Sequence, residues 1–272
     1  MKNVAMSVSV VLPTMNEAGN VKALCQKLCE LRQSHSQVEE AIFVLNNTTD
    51  GTDLVLENIS RNDQYRFVKT IRTKGARGSA IRKGVEAAQG DIVVVMDSDG
   101  QYDPRELPKV IRPIADQGYY ITIGKNHGSA NLLRRLISEG FKKLTKILLG
   151  VTWVQTGFKA GVRSVLLETI PQDISGLDID VRWANNIITK GYGGKLSHDV
   201  EVTVYPRLHG RTKFHPIRLS LGLLYTTVSL FIERKTGREP PFPRILKEFT
   251  LYPRVTSWKK TLTGSNVRAS RL

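Results

Sequence analysis

The sequence predicts an α/β domain in which helices cover both faces of a mainly parallel sheet. Short apolar runs alternate with helical segments through the first third of the chain. These runs lack strict alternation of polar and apolar residues, which is typical of strands buried on both faces. Polar clusters follow several of the runs, and parallel sheets bind ligands at the carboxyl ends of their strands. We therefore expect a functional site along that edge.

The first part of the chain justifies this prediction element by element. Pro13 stops the first apolar run, and turn formers fill the segment 46–52 after the second. The run DIVVVM is the most apolar in the chain and predicts an inner strand. The predicted elements are strand 7–12, helix 20–34, strand 40–45, helix 53–59, strand 67–71, helix 78–88 and strand 91–96.

The second part of the chain is less regular. It predicts helices over 104–117, 131–149 and 178–190, and extended segments over 119–124, 157–160 and 200–205. An apolar segment, 217–232, is too interrupted by polar residues for a membrane span, which needs about 20 consecutive apolar residues. It predicts either an amphipathic helix on a membrane surface or a helix that caps the core.

Composition narrows the function classes. With 272 residues, 40% of them apolar, the chain can bury a full core, which excludes a disordered protein. A net charge of +15 suits a nucleic acid, an anionic membrane or a phosphorylated substrate. Aromatic residues make up only 7% and no nucleic-acid motif is found, so nucleic-acid binding is a distant alternative.

Two further features concern the cellular compartment. Cys25 and Cys29 are the only cysteines, one helical turn apart, too few for a disulfide framework or a zinc site. The N-terminus lacks the apolar core and cleavage site of a signal peptide. We therefore expect a cytoplasmic protein.

Acidic residues follow the most apolar strand directly. Asp97, Asp99 and Gln101 alternate along the chain, and residues two apart in an extended segment point the same way. Their oxygen atoms are the hard ligands that Mg²⁺ and Mn²⁺ prefer, in sites shared with water and phosphate oxygens. The sequence therefore predicts a divalent cation and a diphosphate held together at this strand end.

Four motifs in this order resemble the family 2 glycosyltransferases with a GT-A fold, most closely the dolichyl or polyprenyl phosphate mannosyltransferase branch. They are VVLPTMNEAGNV (10–21), TTDGT (48–52), KGARGSAIRKGVEAAQGDIVVVMDSDGQYDP (74–104) and QTGFKA (155–160). The resemblance covers roughly residues 6–235. It implies a metal-dependent inverting enzyme that moves mannose or glucose from GDP-mannose or UDP-glucose to a polyprenyl phosphate. It also implies a peripheral location at the cytosolic face of a membrane.

The resemblance assigns roles to individual residues. Nucleotide-sugar contacts fall on Pro13, Asn16, Glu17, Asn46, Asp50, Lys74, Asp97 and Ser98. Metal ligands fall on Asp97, Asp99 and Gln101, catalytic roles on Asp99, Asp178 and Asp180, and acceptor or diphosphate contacts on Arg134, Ser138, Arg207 and Lys213. This chain has Leu45 and Asn46 where many relatives carry two aspartates, which leaves the choice between a GDP-sugar and a UDP-sugar open.

The acceptor decides whether a general base is needed. A lipid phosphate is already anionic near neutral pH and needs none, whereas a saccharide or other hydroxylated acceptor requires a carboxylate. Asp178 or Asp180 would be that base, and because they lie about 200° apart around a helix, only one can face the site. The ordinary alternative for this pair is a solvated helix start.

These readings divide the chain into three predicted parts. Residues 1–215 form the catalytic domain, 216–234 an amphipathic helix with possible membrane contact, and 235–272 a basic tail containing prolines.

Overall fold

A computed structural model describes residues 6–127, 132–151, 156–172, 178–210 and 216–238, with the backbone alone for 132–138 and 216–219. The described residues form seven strands and eight α-helices. In chain order these are β1 (Val8–Thr14), α1 (Ala18–Ser34), β2 (Val38–Asn46), α2 (Thr52–Ser60), β3 (Val68–Thr73), α3 (Arg77–Ala87), β4 (Ile92–Met96), α4 (Leu107–Gln117), β5 (Ile121–His127), α5 (Leu132–Leu149), β6 (Phe158–Val162), α6 (Arg163–Thr169), α7 (Ile179–Thr189), β7 (Leu196–Thr203) and α8 (Pro216–Thr236).

The strands form one mainly parallel sheet, as the sequence predicts, in the order β3-β2-β1-β4-β6-β5-β7. Strands β1, β2, β3 and β4 pair in parallel, as do β5 and β7. Only β6 runs the other way, antiparallel to both β4 and β5. The segment that leads into β6 therefore arrives at the same edge of the sheet as the carboxyl end of β4.

Two apolar cores lie on opposite faces of the sheet. Helices α1, α2 and α4 cover one face, and α3, α6, α7 and α8 cover the other. Helix α1 directs Cys25 and Cys29 into the first core, where both thiols are buried and free. In α3, Gly84 lies so close to β1 that a Cβ atom would come within 2.2 Å of Val11, so glycine sets the spacing between this helix and the sheet.

The element predictions fail where segments are short or lie at an edge. Helix α6 has seven residues, too few to show helical periodicity, and was not predicted. Strand β7 begins earlier than predicted because the edge position leaves much of it exposed and polar. The helix predicted from 104 begins as a short 3₁₀ turn, and α4 follows it from Leu107.

Helix α8 has two different faces. Leu223 and Leu230 pack into the second core, and the buried side chains of Thr226 and Thr227 lie on the same inner side. Leu221 and Leu224 point outward, 46% and 41% exposed. Among the helices described, none is both long enough and apolar enough to span a bilayer. The predicted basic tail lies beyond the described residues, apart from its first few positions.

Candidate active site

The carboxyl ends of β1, β2 and β4 meet at one edge of the sheet. Because these strands are parallel neighbours, the segments that follow Thr14, Asn46 and Met96 lie side by side. The hydroxyl of Ser98 donates to the carbonyl of Pro13 at 2.9 Å, which fastens the end of β4 to that of β1. This edge carries most of the predicted nucleotide-sugar residues.

Residues 15–17 and 47–52, named here the loop rim, are joined by hydrogen bonds to backbone and hydroxyl groups. The Asn16 side chain accepts from the Thr49 N–H at 2.8 Å, and Asp50 accepts from the Ala18 N–H at 3.0 Å. The Thr52 hydroxyl accepts from the Glu17 N–H at 2.9 Å. Asn16 adopts a positive φ of 55°, which asparagine tolerates better than most residues. These hydrogen bonds join the two loops of the rim directly to each other.

Two other predicted nucleotide residues lie beside the loop rim. Asn46 is buried at the end of β2, and its Oδ1 atom makes no hydrogen bond within the described part of the chain. Lys74 is exposed on the loop between β3 and α3. Next to the loop rim, Asn46 therefore offers an acceptor that has no partner among the described residues, and Lys74 offers an exposed cation.

Charged side chains form the other side of the edge. This ionic rim comprises Asp97, Asp99, Arg77, Asp180 and Arg207. Arg77 begins α3, and its Nε and Nη2 atoms both donate to Oδ1 of Asp97, at 3.1 and 2.7 Å. Its Nη1 atom lies 3.5 Å from Oδ2 of Asp180. Burial alone would lower the pKa of Arg77, but the two carboxylates outweigh it and raise that pKa.

Asp99 forms the second half of the ionic rim. It accepts from the Gln101 N–H at 3.1 Å and pairs with the guanidinium of Arg207. Arg207 follows β7, and its segment is tied down where the Tyr205 N–H donates to the Gln101 carbonyl at 2.8 Å. Burial, and then the negative charge of Asp97, raise the pKa of Asp99 despite the contact with Arg207. Asp97 and Asp99 therefore lie close enough for their carboxylates to repel each other.

Asp178 and Asp180 have separate environments, as their spacing around a helix predicts. Asp180 pairs with Arg77 and with the ammonium of Lys159. Oδ2 of Asp178 accepts from Arg182 at 2.7 Å and from the Thr226 hydroxyl at 2.8 Å, which places it between α7 and α8. Both aspartates are buried, so a solvated helix start is the wrong description of this pair.

Three predicted acceptor residues cannot be placed as side chains. Arg134 and Ser138 lie on α5 where only the backbone is described. Lys213 falls outside the described residues. Their assignment remains a prediction from the resemblance.

Sequence reasoning missed Arg77, Lys159 and Gly157. Gly157 leads into β6, and a Cβ atom there would lie 2.0 Å from Oδ2 of Asp97, so only glycine lets that carboxylate occupy its place. Arg77 was given no role, and it lies just before the start of the predicted helix 78–88. The available signal for Lys159 was a lysine inside an apolar strand, since lysine is almost never buried unless it is paired.

The oxygen atoms of the ionic rim are chemically suited to a divalent cation. No group of three or more His, Cys, Asp or Glu side chains converges among the described residues. Mg²⁺ commonly binds through one or two carboxylates and completes its shell with water and substrate phosphates, so a larger cluster is not required. Asp99 and Gln101, with Asp97 beside them, would hold the ion, and its positive charge would offset the repulsion between the two carboxylates.

Comparison with protein families places this chain among glycosyltransferases. The model of glycosyl transferase family 2 matches residues 9–170. A dolichol-phosphate mannosyltransferase from Pyrococcus furiosus is 31% identical over 150 residues, which cover 53% of this chain and 42% of that protein. An undecaprenyl-phosphate 4-deoxy-4-formamido-L-arabinose transferase from Pseudomonas syringae is 24% identical over 227 residues, covering 82% and 64%. The chain thus spans less than two thirds of the length of these curated relatives.

Solved structures share the fold at low sequence identity. Mannosyl-3-phosphoglycerate synthase from Rubrobacter xylanophilus superposes with a TM-score of 0.68 at 18% identity, covering 91% of this chain and 82% of its own. Glucosyl-3-phosphoglycerate synthase from Mycobacterium tuberculosis, in complex with Mn²⁺, UDP-glucose and phosphoglyceric acid, gives 0.65 at 19% identity, covering 88% and 82%. These neighbours have the GT-A fold, which is therefore the fold of this chain as predicted.

Proposed function

Because this chain belongs to glycosyl transferase family 2, we propose that it transfers a hexose, mannose or glucose, from a nucleoside diphosphate sugar to a polyprenyl phosphate. The two curated relatives are named for transfer to dolichol phosphate and undecaprenyl phosphate. The neighbour with Mn²⁺ and UDP-glucose supports a nucleotide sugar and a divalent cation as ligands of this fold. GDP-mannose and UDP-glucose are the two donors to compare.

The observation that carries the choice of acceptor is the engagement of both candidate bases. Asp180 lies between Arg77 and Lys159, and Asp178 between Arg182 and Thr226. A carboxylate held by two partners is poorly placed to take a proton from a hydroxyl. A lipid phosphate brings its own negative oxygen, so the reaction needs no such base.

In the proposed reaction, an acceptor phosphate oxygen attacks the anomeric carbon, and the bond from that carbon to the donor diphosphate breaks. The nucleoside diphosphate leaves with the electron pair, and no proton is removed from the acceptor. The loop rim would position the nucleotide, and Arg207 would offset charge on the leaving diphosphate. A bound Mg²⁺ or Mn²⁺ supplies further positive charge at that diphosphate.

Product analysis tests this proposal. The full chain is incubated with polyprenyl phosphate in detergent micelles, with GDP-mannose or UDP-glucose and with Mn²⁺ or Mg²⁺, and lipid products are identified by mass. The matched control acceptor is the same polyprenol without its phosphate. We expect a lipid-linked hexose only from the phosphorylated acceptor. Equal transfer to the free alcohol or to a saccharide would instead support the hydroxyl-acceptor alternative.

We also propose that α8 brings the enzyme to the cytosolic membrane face where its lipid acceptor would lie. The outward-facing leucines Leu221 and Leu224 support this, since apolar side chains at an amphipathic helix surface insert at the headgroup boundary. Residues 1–215 would then supply the catalytic site, with 235–272 as an additional basic contact.

Vesicle flotation tests the membrane proposal. Leu221→Asp combined with Leu224→Asp should reduce binding to vesicles that contain anionic lipid. Leu54→Asp is the control, because Leu54 is 62% exposed on α2, a helix on the opposite face of the sheet. Undiminished flotation of the double variant would show that α8 is not the contact.

A further inference from the structure

A buried lysine lies behind the ionic rim, and the proposed reaction assigns it no role. Lys159 is on β6, between β4 and β5, opposite Val95 and Ile123 in the ladder. It is only 4% exposed. A narrow cavity beside it is otherwise lined mostly by apolar residues, among them Ile121, Leu166 and Trp183. Burying an ammonium group in such surroundings is costly unless the group is paired.

The pairing of Lys159 leads outward to the site. Its ammonium contacts Oδ1 of Asp180 and lies 5.2 Å from the centre of the Trp183 ring. The other oxygen of Asp180 faces Arg77, which holds Asp97. The order Lys159, Asp180, Arg77, Asp97 is therefore a row of alternating charges, running from the interior to a carboxylate whose side chain is 30% exposed.

The same strand region also holds Asp97 through the backbone. The Asp97 N–H donates to the Gly157 carbonyl at 2.9 Å, two residues before Lys159. Gly157 thus holds the backbone of Asp97. Lys159 acts on the side chain of Asp97 indirectly, through Asp180 and Arg77. An apolar pair of similar size would fill the interior equally well, since buried ion pairs are weak contributors to stability. The charge of Lys159 is therefore better explained by its orientation of Asp180 and Arg77 than by packing.

We propose that Lys159 is a positioning residue, which acts through Asp180 and Arg77 to fix the carboxylate of Asp97 at the donor diphosphate. The inference rests on the proposed function, because it takes Asp97 as part of a nucleotide-sugar site. Small displacements of positioned groups can reduce turnover on the order of 10²-fold.

Three variants of the full chain test the proposal. Lys159→Met keeps the apolar stem and removes the charge, whereas Lys159→Arg keeps the charge and can use the adjacent cavity. The control is Lys69→Met, which removes the cation from another buried acid, Glu40, 2.5 Å away near the far edge of the sheet. The measurements are the thermal midpoint Tm, kcat and KM for the donor, and the affinity for GDP and UDP with Mn²⁺ by calorimetry.

We expect Lys159→Met to lower kcat about 10²-fold, and Lys159→Arg to recover most of that loss. Lys69→Met should lower Tm while leaving kcat within about twofold of wild type, because a purely structural charge changes stability alone. A folded Lys159→Met protein with the kcat of the Lys69→Met control overturns the proposal.

Arg77→Met supplies a second, independent test. It removes the link to Asp97 and leaves the Lys159–Asp180 pair in place. If both residues act along one row of contacts, the double variant should lose no more kcat than Arg77→Met alone. Fully additive losses overturn the proposal. Should Lys159→Met fail to fold, an Arg77→Met protein with wild-type kcat overturns it equally.

The two proposals fail in different ways. Wild-type protein that binds nucleotide and Mn²⁺ but forms no lipid-linked sugar contradicts the proposed function alone. Nucleotide affinity then decides the role of Lys159: at least a fivefold loss in Lys159→Met relative to Lys69→Met supports positioning, and equal affinity overturns it. Wild-type protein that binds neither GDP nor UDP overturns both proposals.

Discussion

The two rims of the candidate site are held in different ways. In the loop rim, acids and amides accept from backbone N–H groups and hydroxyls of residues close by in space, such as Asp50 with Ala18. In the ionic rim, carboxylates pair with cations from elements far apart in sequence, such as Asp99 with Arg207. Hydrogen bonds to the backbone need not change when a ligand binds. Ion pairs must be exchanged when a charged ligand arrives.

This difference suggests separate roles for the two rims in ligand binding. Under the proposed function, the loop rim would be the surface that receives the nucleotide. In the ionic rim, arginines pair with Asp97 and Asp99. Under the proposed function, the diphosphate would contact those arginines and the metal ion would contact the carboxylates. Binding of that ligand would therefore exchange ion pairs within the protein for ion pairs with the ligand.

Removing the charge of Asp99 should have the largest effect, because it should impair the ionic rim and leave the loop rim intact. We expect Asp99→Asn to lower transfer on the order of 10³-fold, because charge stabilisation at a leaving group commonly contributes this much. Thermal stabilisation by nucleotide should persist but should no longer increase with Mn²⁺. Asp116→Asn, at an exposed i,i+4 pair with Arg112, is the control. Full Mn²⁺-linked stabilisation in Asp99→Asn would place the cation elsewhere.

Gly157→Ala should disturb the ionic rim through a steric clash, without changing any charge. The new methyl group would meet Oδ2 of Asp97 at 2.0 Å, and displacing that carboxylate should lower kcat about tenfold or more. Overpacking should also cost about 1–3 kcal/mol of unfolding free energy. Gly194→Ala has open space around the added atom and should change neither quantity. Equal kinetics and chemical denaturation for both variants would refute the close approach.

Asp50→Asn should weaken the loop rim in a pH-dependent manner. Burial alone would raise the pKa of Asp50, but hydrogen bonds from Thr52 and the Ala18 N–H lower it overall from its ordinary value of 3.8. The stabilisation is therefore present above that value and is lost as the pH falls through the lower folded pKa. We expect the variant to be about 1 kcal/mol less stable at pH 7. Urea titrations should converge below pH 3.8, and a constant difference would exclude the ionised carboxylate as the cause.

Thr226→Val should have the smallest effect on transfer. It removes the hydroxyl that donates to Asp178 at 2.8 Å while keeping the volume of the side chain. Arg182 remains as a partner of Asp178, so we expect a loss of about 1 kcal/mol in stability and little change in transfer. A large loss of kcat, measured at saturating donor, would mean that the contact between α8 and Asp178 affects the geometry of the ionic rim.

The sequence predicted the loop rim better than the ionic rim, for a physical reason. Residues of the loop rim follow directly on buried strands, so the strand ends alone bring Asn16 and Asp50 together. The acidic half of the ionic rim is equally local, because Asp97 and Asp99 extend β4. Its cations are not local. Arg77 begins a helix and was missed, whereas Arg207, which follows an edge strand, was assigned only through the family resemblance.

Strand direction explains the remaining misses. The sequence predicted a mainly parallel sheet, which is correct, but no pattern in QTGFKA reveals that β6 runs antiparallel between β4 and β5. That direction is what places Gly157 beside Asp97 and Lys159 behind Asp180. Tertiary pairing, rather than local periodicity, therefore assembles the charged half of the site.

Because both thiols of α1 are buried, their reactivity reports when α1 separates from the sheet. The full chain has no other cysteines, and burial raises the pKa of Cys25 to about 12, which suppresses the reactive thiolate. Modification by a thiol reagent must therefore wait until α1 leaves the sheet. Because α1 begins at Ala18, beside Asp50, a nucleotide seated on that end should slow labelling, and binding becomes measurable without an engineered probe.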